Sequence, residues 1–400
     1  MKEEWKKVKL GEISADIQTG PFGSQLHMSD YSEKGIPVVM PKDMINGKIT
    51  EENIARVTDN HVKRLNRYII SSGNILYARR GDVGKCVYVS EKESGWLCGT
   101  GCLRININTA IANPKFVFFQ LQKTETIGWV EKNAVGATML NLNTSILANV
   151  PLHLPPLPTQ QKIASVLSAY DDLIENNRKQ IKLLEEAALK LYKEWFVKLN
   201  FPGHETTKIA DGVPDGWKKA TVEDLADYLN GYAFKPSDWK QIGYPIIKIK
   251  EMGQGITVDT PRNSGNKIPG KYMIEKGTII FSWSATLSVI IWSGEKGLLN
   301  QHLFKVTPHE GYCREFVFQS IQNALVAFSN ITTGATMKHI QRNKLSQIEL
   351  VVPSKEIMSI YRKISDAMRE KILMLQNQIQ LLQLARDKLL PKLMNGEIEV

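Results

Sequence analysis

The sequence has no uncharged apolar run of about 18 residues, so no membrane-spanning helix is expected. The nearest stretch, Thr278 to Trp292, is interrupted by serines and reads as two strands. The opening Met1-Lys2-Glu3-Glu4-Trp5-Lys6-Lys7 lacks the apolar core of a signal peptide, which points to a cytoplasmic protein with no membrane partner. Cysteine is scarce. Cys86, Cys98, Cys102 and Cys313 form no C-x-x-C pair, and Cys98 and Cys102 have no histidines at zinc-site spacing. Small buried thiols are expected, with neither a disulfide framework nor a metal.

Signatures of catalysis are lacking too. Gly99-Thr100-Gly101 has no third glycine and no following helix, so it makes no cofactor loop. Gly81-Asp82-Val83-Gly84-Lys85 lacks the spacing and the hydroxyl of a phosphate loop. Asn113-Pro114-Lys115-Phe116 is close to the loop with which amino-methyltransferases grip a base, but a lysine replaces the second proline. It reads better as the start of a helix Pro114–Gln122, with proline at the first helical position. Pro214-Asp215 with Asp238-Trp239-Lys240 mimics a magnesium nuclease, yet Pro214-Asp215-Gly216 looks like a turn and the expected strand pair is missing. No nucleophile–base set has a supporting context.

What is present fits two domains and a connector: 400 residues, 42% hydrophobic and 23% charged, enough for two cores. The net charge of +10 is spread along the chain. Basic residues exceed acidic ones by 19 to 15 over residues 1–157 and by 17 to 14 over residues 200–354. Such a surface suits a polyanion met at more than one place, a weak pointer by itself.

The strongest signal is an internal duplication. Trp5-Lys6-Lys7 recurs as Trp217-Lys218-Lys219, and Gly35-Ile36-Pro37-Val38-Val39 as Gly243-Tyr244-Pro245-Ile246-Ile247. Arg67-Tyr68-Ile69-Ile70 with Gly73 matches Lys271-Tyr272-Met273-Ile274 with Gly277. Gly136-Ala137-Thr138-Met139 returns unchanged as Gly334-Ala335-Thr336-Met337. The offset drifts from 212 to 198 while the order holds, as in a diverged tandem copy. Each copy is expected to open with a short amphipathic helix, around Leu10–Asp16 and Val222–Tyr228. Glycine-punctuated strands follow, then the glycine loop, a last strand ending in proline, and a long helix.

In the first long helix Ile163, Leu167, Tyr170, Ile174, Asn177, Ile181, Leu184, Ala188, Leu191 and Trp195 step by four and three, a coiled-coil seam. Tyr361, Met368, Ile372, Leu375, Ile379, Leu382, Leu389 and Leu393 repeat it in the second. Two seams in one chain most simply pack on each other. Asn177 fixes their register, receives a partner, or is merely tolerated. The domain boundaries read 1–157, 158–199 for the central helix, 200–354 for linker and second module, and 355–400 for the last helix.

Together these features resemble the specificity subunits of type I restriction-modification systems, over essentially the whole chain. The resemblance rests on Pro155-Pro156-Leu157-Pro158-Thr159-Gln160-Gln161-Lys162-Ile163, Leu173-Ile174-Glu175-Asn176-Asn177, Phe201-Pro202-Gly203-His204-Glu205 and Leu389-Leu390-Pro391-Lys392-Leu393-Met394-Asn395-Gly396-Glu397-Ile398, in order and in duplicate. The second helix departs from it, opening with Ser354-Lys355-Glu356-Ile357 in place of the proline–glutamine run. The resemblance implies a mixed α/β (α+β) fold of two tandem target-recognition domains separated by two long antiparallel coiled-coil helices, with pseudo-two-fold symmetry. It implies double-stranded DNA as ligand, each domain reading one half of an asymmetric split site. It also implies two methylation subunits and motor-nuclease restriction subunits as partners. No cofactor is expected on this chain; S-adenosylmethionine, ATP and magnesium are expected on the partners.

Candidate DNA contacts come first from the glycine loops: Thr138, Asn141 and Asn143 in the first copy, Thr336, Lys338, His339, Gln341 and Arg342 in the second. Asn and Gln pair bidentately with adenine and Arg with guanine. The alternative is a turn whose polar residues cap the next element. A second set is Thr19, Gly20, Phe22 and Ser24, with counterpart Lys235; a structural turn with a buried aromatic is the competing reading. A third is Arg79, Arg80 and Lys85, with counterparts Ser282 and Trp283, against a solvated edge pair. Lys42, Lys248 and Lys250, near strand ends, are weaker. Two other function classes compete: a stand-alone methyltransferase or nuclease with an unrecognised site, and a coiled-coil scaffold that binds protein alone. Missing cofactor motifs oppose the first; two diverged modules with polar glycine loops oppose the second.

Overall fold

The computed structural model describes residues 5–136, 139–331 and 342–400. It divides into two compact units, one of Met1–Ile174 with Leu381–Val400, the other Glu175–Gln380. The boundary therefore cuts each long helix once.

In the first unit, strands Ser14–Thr19, Cys102–Ile107, Ile75–Ala78 and Cys86–Tyr88 form an antiparallel sheet in that spatial order. A second sheet places Ile36–Val39 between Leu97–Cys98, which runs parallel to it, and Ala55–Val57, which is antiparallel and carries Tyr31–Ser32 on its other edge. Lys6–Lys9 pairs with Pro151–Leu154. The core lies between the first sheet and the helix Pro114–Leu121, and it takes in Ile163 and Leu167 of one long helix and Leu393 and Met394 of the other. Asn113 caps the Pro114 helix, its Oδ1 accepting from the Phe116 N–H at 3.0 Å, as proline at the first helical position requires.

The second unit repeats this plan. Ala226–Asn230, Leu303–Pro308, Ile279–Ser282 and Ser288–Ile291 make the antiparallel sheet. Tyr244–Ile247 runs parallel to Gly297–Leu299, and Lys218–Thr221 pairs with Glu349–Val352. Half-buried arginines recur with the fold: Arg56 donates to the Gly35 carbonyl at 3.0 Å and Arg262 to the Gly243 carbonyl at 2.9 Å.

The opening helices are shorter than expected. The first stops at Ile13 and Ser14–Thr19 enters the sheet; in the second copy a single 3-10 turn, Glu223–Leu225, precedes strand Ala226–Asn230. One or two isolated turns nucleate poorly, whereas the strand gains a ladder of bonds to Cys102–Ile107 or Leu303–Pro308.

The long helices are Leu157–Tyr192, extended by a π-turn Lys193–Val197, and Lys355–Met394. The first spans about 54 Å at roughly 1.5 Å per residue. None of the seam residues named above is exposed. In the first unit Arg386 donates to Asp171 at 2.6 Å; in the second Asn177 Nδ2 donates to Gln378 at 3.3 Å and Trp195 packs on Tyr361 with rings 5.9 Å apart. Within each unit the helices thus run antiparallel. Gln160 explains part of the proline–glutamine run. Buried, it accepts from the Asn113 N–H and donates to the Pro155 carbonyl, both at 2.8 Å, closing the helix start onto the domain. In the second copy the Ser354 hydroxyl takes the capping role, accepting from the Ile357 N–H at 3.4 Å.

Candidate nucleic-acid interface

The strand register of the first unit brings several chain reversals to one end of the sheets. Thr19 pairs with Leu103, Ala78 with Cys102 and Val39 with Cys98, so the segments leaving Thr19, Val39, Cys98 and Ala78 emerge side by side. Glycines let them touch. A Cβ on Gly20 would lie 1.9 Å from the Gly99 carbonyl oxygen, one on Gly99 would lie 2.5 Å from the Val39 oxygen, and one on Gly101 would lie 2.8 Å from the Pro41 ring. The Gly99-Thr100-Gly101 segment, which holds no cofactor motif, is thus the floor on which the neighbouring loops rest. It was not among the candidate contacts.

The glycine loop joins the same end. Leu142 N–H donates to the Arg79 carbonyl at 2.8 Å and Gly81 N–H to the Leu140 carbonyl at 3.1 Å. Gly136 turns with φ +124, where a Cβ would meet the Met139 carbonyl at 2.3 Å. Arg79 N–H in turn donates to the Gly101 carbonyl at 2.8 Å, and its guanidinium lies over the exposed Phe22 ring, 5.5 Å from the centroid. Three candidate segments, separated in sequence, therefore form one surface around Phe22, Arg79 and Asn141. Two polar atoms there are closed off from solvent without a partner, Arg79 Nε and Asn141 Oδ1. Burial, reinforced by the adjacent Arg80 charge, pushes the Arg79 guanidinium below its ordinary pKa.

The second unit builds the corresponding end from different side chains. Gly231 N–H donates to the Leu303 carbonyl at 2.9 Å, as Gly20 does to Cys102, and a Cβ on Gly231 would lie 2.2 Å from the Asn300 oxygen. Asn300 N–H donates to the Ile247 carbonyl at 3.0 Å, matching Gly99 and Val39. Trp283, the first residue after its strand, packs on His302 and Phe304 with rings 5.9 and 5.8 Å away. Gln301 and His302 stand beside it and were missed. Extending the repeat by strand register from Gly99 to Asn300 finds them.

The remaining candidates fare unequally. Arg80, Ser24, Lys235 and Lys250 are exposed, and Thr19 is half-buried. Lys42 donates to the Asn53 carbonyl at 3.3 Å, Lys85 pairs with Asp82 at 3.2 Å, and Lys248 lies over the Trp239 ring at 5.1 Å. Gly20 is buried; its part is the close approach. Asn143 caps the helix Thr144–Ala148, its Oδ1 accepting from the Ile146 N–H at 2.7 Å, so that oxygen is spent on the fold. Ser282 is a correction. It is fully buried and donates to the Ser284 carbonyl at 3.2 Å, because its strand Ile279–Ser282 is covered on both faces, one by the Phe281 core and the other by the Ile280 cluster. Thr138, Thr336, Lys338, His339 and Gln341 lie outside the described residues. Arg342 opens a 3-10 helix, Arg342–Gln347, and its side chain is likewise outside the description.

Asp215 and Asp238 do not assemble a site. Asp238 caps the Lys235 N–H at 2.8 Å, and Asp215 follows the hairpin of Ile209–Ala210 and Val213–Pro214. Among the described residues no three His, Cys, Asp or Glu side chains could hold a metal, all four cysteines are free and buried, and no helix is long and apolar enough to cross a membrane.

The family model for the type I restriction modification DNA specificity domain matches residues 2–186 and 214–383. The MjaIX specificity subunit of a type I restriction enzyme from Methanocaldococcus jannaschii is 25% identical, over 100% of this chain and 94% of its own. The HindI specificity subunit from Haemophilus influenzae is 24% identical, over 99% of this chain and 100% of its own. The crystal structure of the type I restriction-modification S subunit from M. genitalium superposes with a TM-score of 0.59 at 15% identity, covering 98% of this chain and 96% of that one.

Proposed function

The chain belongs to the type I restriction modification DNA specificity family and is a specificity subunit; from that premise we propose that it reads a bipartite, asymmetric duplex site. In this reading each unit takes one half-site. The chain performs no chemistry itself, directing adenine methylation by two methylation subunits and cleavage by motor-nuclease subunits. S-adenosylmethionine, ATP and magnesium reside on those partners.

One observation carries the reading. Both units gather the same chain reversals at one end through the same backbone contacts, Gly20 and Gly99 in one, Gly231 and Asn300 in the other. The side chains there differ: exposed Phe22 with half-buried Arg79 against half-buried Trp283 with exposed His302. A shared frame with different reading groups is what two unlike half-sites require. A protein-only scaffold needs no such groups.

The test is methyl transfer. The highly purified chain, incubated with labelled S-adenosylmethionine and DNA, is expected to transfer nothing, and to support transfer once its methylation subunit is added. Transfer by the chain alone overturns the non-catalytic assignment.

A further inference from the structure

Most arginines packed into the first unit are tied to a partner. Arg56 is held by the Gly35 carbonyl and Glu51, Arg64 by Asp30, and Arg104 by Asp16, Gln18 and the carbonyls of Arg67 and Ile69. Arg79 differs. Arg104 shares with it a closed-off Nε but is held through its Nη atoms, whereas among the described residues the whole Arg79 guanidinium has no hydrogen bond or ion pair. Its one side-chain anchor is the Phe22 ring at 5.5 Å, and that ring is itself 52% exposed. A desolvated donor without an acceptor, at a ligand-facing end, is the mark of a group completed by something that binds.

The geometry and the repeat together select the ligand. Phosphate and guanine both offer paired acceptors to an arginine fork, and what separates them is the repeat: a phosphate contact serves any sequence alike, whereas a base contact differs between unlike half-sites. Guanine presents two acceptors side by side in the major groove, O6 and N7, matched to the arginine fork. The equivalent position of the second unit is Trp283: Ala78 pairs with Cys102 and Ser282 with Leu303, and Arg79 and Trp283 each follow by one residue. It carries no charge.

Resting on the DNA-reading assignment above, we propose that Arg79, held against Phe22, is a specificity-determining residue that reads a guanine in the half-site of the first unit. The second unit has no counterpart to that contact at Trp283.

The experiment assembles the full chain with its methylation subunit and maps modified adenines on a random-sequence duplex library. The native motif is expected to hold a guanine that Arg79→Lys relaxes by about ten- to a hundredfold in preference, since lysine keeps the charge and loses the fork. Phe22→Leu is expected to weaken preference at that same position. The other half-site keeps its sequence in both variants. Both substitutions preserve bulk, so the result does not depend on an alanine variant folding. A native motif without guanine, or an Arg79→Lys motif unchanged from native, overturns the proposal while leaving the recognition function intact. Modification by the native complex with no sequence motif at all removes that function as well.

Discussion

Glu315 and Arg369 show how far a single pair of residues can commit a domain. Their side chains are 1% and 4% exposed, and the guanidinium donates through Nε at 2.9 Å and Nη2 at 2.8 Å to the two carboxylate oxygens. Gln319 adds a donor at 3.1 Å, and Phe318 lies under the arginine at 4.8 Å. The pair ties the helix Arg314–Ile331 to the last helix. Removing one partner strands a desolvated charge, so Glu315→Ala is expected to cost about 3–5 kcal/mol. Replacing both, Glu315→Met with Arg369→Leu, should cost far less because no buried charge remains. Denaturant unfolding of the full chain measures both; a Glu315→Ala chain as stable as the native one contradicts the account. Nothing in the sequence joins these two residues, 54 apart, since pairing of that kind depends on packing and not on local pattern. Ser282 was misread for a related reason. Its strand, Ile279–Ser282, is buried along its whole length, so strand alternation leaves neither face to solvent.

At the scale of elements, the seams were the most legible feature, because burial along a helix repeats at a fixed period that tertiary contacts cannot disguise. Every seam residue from Ile163 to Trp195 is sheltered. The short opening helices were not legible, since propensity over the seven residues of Leu10–Asp16 or Val222–Tyr228 yields to a strand ladder. The helices lend themselves to a direct test of whether they set the gap between half-sites. Glu185 is an unsuitable insertion point: it lies inside the second unit, Glu175–Gln380, where added residues would shift that unit's own helix packing. One heptad after Ile174 and one after Gln380 fall instead at the boundary of the units. A whole heptad keeps both seams in register, where three or four residues would not. Seven residues add about 10 Å, or about three base pairs at roughly 3.4 Å each if helices and duplex run parallel. Methylation mapping with the altered chain should show both half-sites unchanged and the unread gap longer. An active complex with an unchanged gap shows that the helices are not the ruler.

For the whole molecule, the duplication decides the architecture. Order was kept while the segments between drifted in length, and some of them changed element: a small hairpin, Met44–Ile45 with Lys48–Ile49, stands in the first unit where the helix Ile249–Gln254 stands in the second. The frame was therefore readable from Gly35 and Gly243 or Gly73 and Gly277, which hold positive φ in both copies. The reading groups were less so. Residues that differ between the copies carry no internal echo, and Gln301 and His302 became visible only through strand register. The central claim is that this chain chooses the DNA site, one half per unit, while its partners supply the chemistry. Its most direct test replaces residues 1–157 with the corresponding module of another specificity subunit and maps modified adenines made by the unaltered methylation subunit. The account predicts a motif with one half-site exchanged, the other retained and the gap unchanged. A motif identical to the native one, or one in which both half-sites change, would contradict it.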